Sequence, residues 1–174
     1  GRFLAGQPRL VFRYPFQEGV DGCDVYGDTD HAGCLRTRKS TSGGCLLVGR
    51  HLIKSWSSTQ PTITLSSGEA ELYGVVRAAA NGLGYLSLLS DLGVRMPLRI
   101  WTDSTASQGM CARQGLGKVR HLDVQELWIQ QRIRRGDFDG PIERKVNDED
   151  PTTNFLNYLS TIVYLQKPFL PERF

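Results

Sequence analysis

The chain has 174 residues, of which 40% are hydrophobic, enough for one compact domain with a buried core. Charged residues make up 22% and aromatic residues 9%, a balance that excludes a disordered or collagen-like polymer. The formal charge of +3 permits a polyanionic partner without requiring one, and no window approaches the roughly 18 apolar residues of a membrane span.

Residues 10–16, LVFRYPF, alternate apolar and polar side chains and predict a strand at a sheet edge. CDVYGD predicts a second strand ending at Asp28, followed by an exposed loop, DTDHAGCLRTRKSTSGG, with glycines and a cluster of cationic residues. GCLLV and HLIKSWSS flank Gly49 and Arg50, which predicts a β-hairpin with Leu46, Val48, Leu52, Ile53 and Trp56 available to the core. TITLSS adds a short extended piece.

The period then changes. SSGEAELYGVVRAAANGLGYLSLLSDLG puts Ala70, Tyr73, Val76 (or Arg77), Ala80, Leu83 and Leu86 at helical spacing, predicting a long helix that Gly82 and Gly84 bend and Gly93 and Pro97 end. LRIWTD predicts a strand ending at Asp103, and Ser104 caps a helix through Ala112. Residues 119–135 predict an amphipathic helix whose apolar face holds Val124, Leu127, Trp128, Gln131 and Ile133, and ERKV a short strand. Residues 151–165 are compatible with a helix. Strands in series, a helix, another strand and further helices describe a mixed sheet with helices packed on it, in the α/β to α+β range.

Four cysteines, Cys23, Cys34, Cys45 and Cys111, lack the close pairs used by zinc sites and redox motifs, so buried free thiols are expected. The opening GRFLAGQPRL lacks a signal-peptide apolar core, and an intracellular protein is expected. Trp56, Trp101 and Trp128 each fall on an apolar face, where core packing explains them better than base stacking.

Three carboxylates fall at element ends, where side chains stand exposed on a rigid frame: Asp28, Glu71 and Asp103. Taken singly, an Asp beside a turn usually just ends an element. Glu69 also has a local explanation, because Ser66 three residues before it forms a capping box, whereas Glu71 has none. Converging carboxylates repel one another unless cations neutralise them, and hard oxygen ligands suit magnesium or manganese. Two such ions about 4 Å apart support phosphodiester hydrolysis.

The segments GDTDHAG, RKSTSGGCLLVG, IKSWSSTQPTITLSSGEAELYG, IWTDSTAS and VRHLDVQ, in that order and spacing, resemble the ribonuclease H domains of copia-type retrotransposon polyproteins over residues 25–146. The resemblance implies a ribonuclease H-like fold, a five-stranded mixed sheet with helices on both faces. It also implies two Mg2+ or Mn2+ ions held by Asp28, Glu71 and Asp103, and an RNA–DNA hybrid as substrate. The reverse transcriptase domain of the same polyprotein is the implied partner, in the cytoplasm, the nucleus or a virus-like particle, with no membrane association. Residues 1–22 are expected to be an edge strand and connection, 23–160 the ribonuclease H-like domain and 161–174 a tail.

The departure from the family pattern is the fourth acid. An Asp is expected two residues after a proline near the C-terminus, and PTTNF puts Thr153 there, beside Asn154, with Asp150 just upstream. A neutral residue leaves less negative charge to hold a second cation, so a binding module with weakened or no cleavage is the competing expectation. Arg36, Arg38, Lys39 and Ser40 form a donor-rich loop suited to phosphate oxygens, and Lys118, Arg120 and His121 form a second cationic group. For any one of them, a solvated charged loop is the plainer explanation.

Overall fold

The computed structural model describes residues 13–115 and 123–144. Its five strands, β1 (Cys23–Asp30), β2 (Thr41–Val48), β3 (His51–Thr59), β4 (Leu98–Thr102) and β5 (Glu143–Arg144), form one mixed sheet in the order β3-β2-β1-β4-β5. Three helices follow from the described residues: α1 (Ser67–Asp91), α2 (Thr105–Ala112) and α3 (Asp123–Arg134). The central strand β1 runs antiparallel to β2 and parallel to β4. A parallel pair needs a crossover, and α1 supplies it by packing back across the sheet.

The hairpin β2–β3 turns at Gly49, whose φ of 56° suits a tight turn and is unfavourable for a residue with a Cβ. Between Leu46 and Leu47 the register slips, because Leu46 faces Lys54 while Leu47 faces Leu52. The residue skipped is Ile53. A bulge turns its side chain outward, so Ile53 is 42% exposed instead of entering the core as expected.

Residues 13–22 add no strand, contrary to the edge strand expected there. Pro15 has no N–H to offer a ladder, and the segment is fastened to the hairpin by side chains. Tyr14 donates its hydroxyl to the Leu52 carbonyl (2.7 Å), Gln17 Nε2 donates to the Val48 carbonyl (2.8 Å), and Gln17 Oε1 accepts from the Arg50 N–H (3.0 Å). Residues 10–12 lie outside the described part. TITLSS is not a strand either. Thr64 is buried there and bonds Ser40 through its hydroxyl, so this segment is a tethered loop.

One apolar cluster joins the sheet to all three helices. It contains Val25, Leu46, Leu72, Val75, Ala79, Leu98, Ile100 and Ile129, each essentially inaccessible. On α1, Ala70 is buried and Tyr73, Val76, Leu83 and Leu86 pack against the core as expected, whereas Ala80 is exposed and the fully buried stripe runs beside that face through Leu72, Val75, Ala79 and Gly82. Glycine explains the difference. A Cβ on Gly74 would lie 2.4 Å from Thr29 Oγ1, and one on Gly82 would lie 2.8 Å from Leu98, so these positions are where α1 touches the sheet. On α3, Ile129 and Gln130 are buried while Val124 (80%) and Leu127 (42%) are exposed, a rotation away from the expected face. Gln130 turns inward because its amide donates to the Met110 and Gly115 carbonyls, tying α3 to the end of α2.

The opposite face of the sheet carries Cys45 and Leu47 with Tyr26 and Leu52. Trp101 belongs here and not to the main cluster: it stacks on Tyr26 (6.0 Å between centroids) and donates Nε1–H to Asp24 Oδ1 (2.8 Å). Arg99 closes a fork on the same carboxylate at 2.8 and 2.9 Å. The described helices all share the main cluster, and the expected helix over residues 151–165 lies outside the described part. Cys23, Cys45 and Cys111 are buried, and none of the four cysteines forms a disulfide, as expected. Burial pushes the Cys23 thiol up to about 12, which leaves it unreactive.

Candidate metal centre

The register of the parallel pair sets two of the acids side by side. Cys23 faces Leu98 and Tyr26 faces Trp101, so the same offset carried two residues on puts Asp28 across from Asp103. β1 stays paired to β2 as far as Asp30 but to β4 only as far as Tyr26. Asp28 therefore does not close its strand, as the sequence suggests. It stands where β1 has lost its neighbour on one side, and that opening admits a carboxylate from above.

Glu71 comes from the helix. α1 starts at Ser66, whose hydroxyl accepts the Glu69 N–H (3.3 Å), while the Glu69 carboxylate reaches back to the Leu65 N–H (2.8 Å). This is the expected capping box with its return bond one residue earlier than usual. Glu69 is thereby spent on the helix end. Glu71, two residues further round, joins Asp28 and Asp103, and one oxygen of each lies within 4.8 Å of the others.

The electrostatics are those of an uncompensated cluster. Burial, then Asp103, then Asp28 push the Glu71 carboxyl up to about 8. Asp28 is exposed by surface area, yet protein packed around its carboxylate raises it too, with Asp103 adding and the Thr29 N–H opposing. Glu71 Oε2 is buried without a hydrogen-bond partner. A buried, unpaired carboxylate oxygen is unfavourable unless a cation meets it. An all-oxygen donor set fits a hard divalent ion such as Mg2+ or Mn2+, and Asp28, Glu71 and Asp103 are the residues that would hold it.

The neighbouring acid Asp30 shapes the chain, accepting the Thr41 N–H at 2.6 Å. In the cationic loop, Arg36 and Arg38 are exposed, and Arg38 holds a φ of 56°. Lys39 and Ser40 behave differently from the expectation that they meet substrate. Lys39 Nζ donates to the Pro61 carbonyl (2.7 Å), and Ser40 is fully buried, its hydroxyl accepting from the Ala32 N–H (3.0 Å) and bonding Thr64 (3.2 Å). Both fasten the loop instead of presenting donors outward. Lys118, Arg120 and His121, and Asp150, Thr153 and Asn154, lie outside the described residues.

A set of buried polar residues beside the acids, Thr29, Ser42 and Gln60, has no counterpart in the sequence reading. Ser42 reads as one more residue of a polar loop, and a lone Gln after a strand has no signature. The only available cue is hydroxyl residues continuing past Asp28 and opposite it in the hairpin.

No family model matches the chain. An uncharacterized mitochondrial protein of Arabidopsis thaliana is 46% identical over 57 residues, which is 32% of this chain and 23% of that relative, so the match spans under a quarter of its length. Among solved structures, a ribonuclease H1 isolated from compost by a metagenomic approach superimposes with a TM-score of 0.56 at 14% identity, over 82% of this chain and 99% of its own. The same enzyme in complex with an RNA/DNA hybrid gives 0.51 at 14% identity, over 81% and 99%. The prototype foamy virus protease–reverse transcriptase gives 0.54 at 13% identity, over 87% of this chain and 21% of that one. At these identities the likeness is one of fold. The chain has the ribonuclease H-like fold, a mixed α+β architecture, in agreement with the resemblance read from its motifs.

Proposed function

We propose that the chain is the ribonuclease H domain of a copia-type retrotransposon polyprotein, an endonuclease dependent on divalent metal that cleaves the RNA strand of RNA–DNA hybrids. The convergence of Asp28, Glu71 and Asp103 on one point carries this reading. Bound there, divalent ions supply a nucleophilic water and Lewis acidity for phosphodiester hydrolysis. Asp28 and Asp103 offer accessible oxygens, and Glu71, whose carboxyl is pushed up by burial and by the two neighbouring acids, would be the third residue to hold the ion. Arg36 and Arg38, exposed on the loop after β1, are suited to phosphate oxygens. The likeness to a viral protease–reverse transcriptase supports a reverse transcriptase domain as the partner; cytoplasm, nucleus or a virus-like particle is the compartment proposed with it.

One observation favours a second reading, a module that binds hybrid without cutting it: Thr153 stands where the family pattern expects the fourth acid. Incubating the purified domain with labelled hybrid and Mg2+ or Mn2+, beside Asp103→Asn, separates the two. Cleavage lost in Asp103→Asn supports the nuclease. Binding without cleavage in both supports the module, and Thr153→Asp is then expected to produce measurable cleavage.

A further inference from the structure

We propose that Gln60 is a positioning residue that fixes the Asp28 and Glu71 carboxylates relative to each other. The inference rests on the reading of those acids as metal ligands. Gln60 follows β3 and is 3% exposed. Its backbone N–H donates to the Ser40 carbonyl (2.8 Å), which anchors it to the start of β2. Its side-chain Nε2 divides two hydrogens between two elements, one to Ser42 Oγ (2.7 Å) and one to the Ala70 carbonyl (2.9 Å). The Ala70 carbonyl belongs to the peptide from which Glu71 begins, and it can only accept, so the amide is held in this orientation.

The chain of bonds continues to the other acid. Ser42 Oγ meets Thr29 Oγ1 at 3.2 Å, and the Thr29 N–H donates to Asp28 Oδ1 at 2.8 Å. Thr29 is itself pressed between strand and helix, since a Cβ on Gly74 would meet its hydroxyl at 2.4 Å. A path of hydrogen bonds thus runs from the Asp28 carboxylate through Thr29, Ser42 and Gln60 to the peptide that carries Glu71, and it is buried from the Thr29 hydroxyl onward. The acids come from different elements, and this path is a polar tie between those elements directly beneath them.

The arrangement carries a sign of its own disadvantage: Gln60 Oε1 is buried without a hydrogen-bond partner. An apolar residue of similar shape would remove this orphan oxygen but leave Ser42 Oγ and the Ala70 carbonyl without the donor they share. Positioning is what the amide adds, because only a two-hydrogen donor at this spot can bridge strand and helix at once.

The test compares Gln60→Met with Gln130→Met, a buried amide that ties α3 to α2. Two readouts are taken on the full domain: the carboxyl 13C resonances of Asp28 and Glu71 without metal, and Mn2+ affinity by electron paramagnetic resonance titration. Thermal melts without metal establish that both variants fold. The expected result is that Gln60→Met shifts both carboxyl resonances and lowers Mn2+ affinity at least fivefold, while Gln130→Met, at a comparable loss of melting temperature, leaves resonances unmoved and affinity within twofold. Unmoved resonances in Gln60→Met, or equal shifts in both variants, overturn the proposal. If wild-type Mn2+ binding is insensitive to Asp103→Asn, the metal reading fails by itself, and the resonances still decide the role of Gln60.

Discussion

At Glu71, burial and two neighbouring acids act in the same direction, so the folded carboxyl keeps its proton up to about 8 while an unfolded one loses it near 4.5. The folded state therefore binds more protons between these values, and metal-free stability falls as pH rises through that window. Asp28, also raised, acts in the same sense. Glu71→Gln removes the ionisation, and in EDTA at pH 8 it is expected to raise the melting temperature by several degrees, equivalent to a few kcal/mol at most, or roughly 1–3 kcal/mol. Below the unfolded value of 4.5 the difference should vanish. A wild-type melt that does not change between pH 5 and 8 in EDTA would refute the strained cluster. Asp28, Glu71 and Asp103 are legible because each lies within a recognisable motif near an element end, although Asp28 stands two residues short of the end of β1. Ser40 and Lys39 were misread because a loop's sequence does not say which of its donors turn inward, and here Thr64 and the Pro61 carbonyl take them.

Element by element, legibility followed periodicity. The hairpin about Gly49, the cap at Ser66 and the helix from Ser104 all carry local signals, and all three stand where the sequence puts them. Periodicity sets the helix face only broadly: in α1 the expected residues except Ala80 meet the core, but a run of Ala and Gly offers several stripes, and the sheet chooses the most buried one by close approach at Gly74 and Gly82. The same tightness governs β2. A Cβ on Gly44 would lie 2.3 Å from both the Tyr26 carbonyl and the Trp56 ring, and the carbonyl cannot yield without moving β1. Gly44→Ala is expected to destabilise the domain by about 3 kcal/mol or more, read as a lower urea midpoint; a loss below about 0.5 kcal/mol would mean that the strands can part there. Ser66→Ala should cost about 1 kcal/mol through the lost cap. Because Glu71 lies in the next turn of the helix, that substitution should also weaken Mn2+ binding, measured by titration.

For the molecule as a whole, Arg36 and Arg38 stand exposed on the loop that joins β1 to β2, downstream of Asp28. If both neutralise phosphates, replacing them with Ala lowers hybrid affinity for every sequence alike and reduces the salt slope by about 2, measured by fluorescence anisotropy over a range of salt; an unchanged slope would assign them to solvent. No helix among the described residues is long and apolar enough to cross a membrane. The pairing of β1 with β4 has one more consequence. It is the junction with the greatest sequence separation in the sheet, and it alone sets Asp28 across from Asp103. Contacts so distant along the chain form late, after the local hairpin and helix have paid down the entropy of closing the loop. During synthesis the coordination shell cannot exist until residue 103 has emerged and α1 has docked. A cation would then arrive as a lock on a finished fold rather than as the seed of one, slowing unfolding while leaving the folding rate untouched.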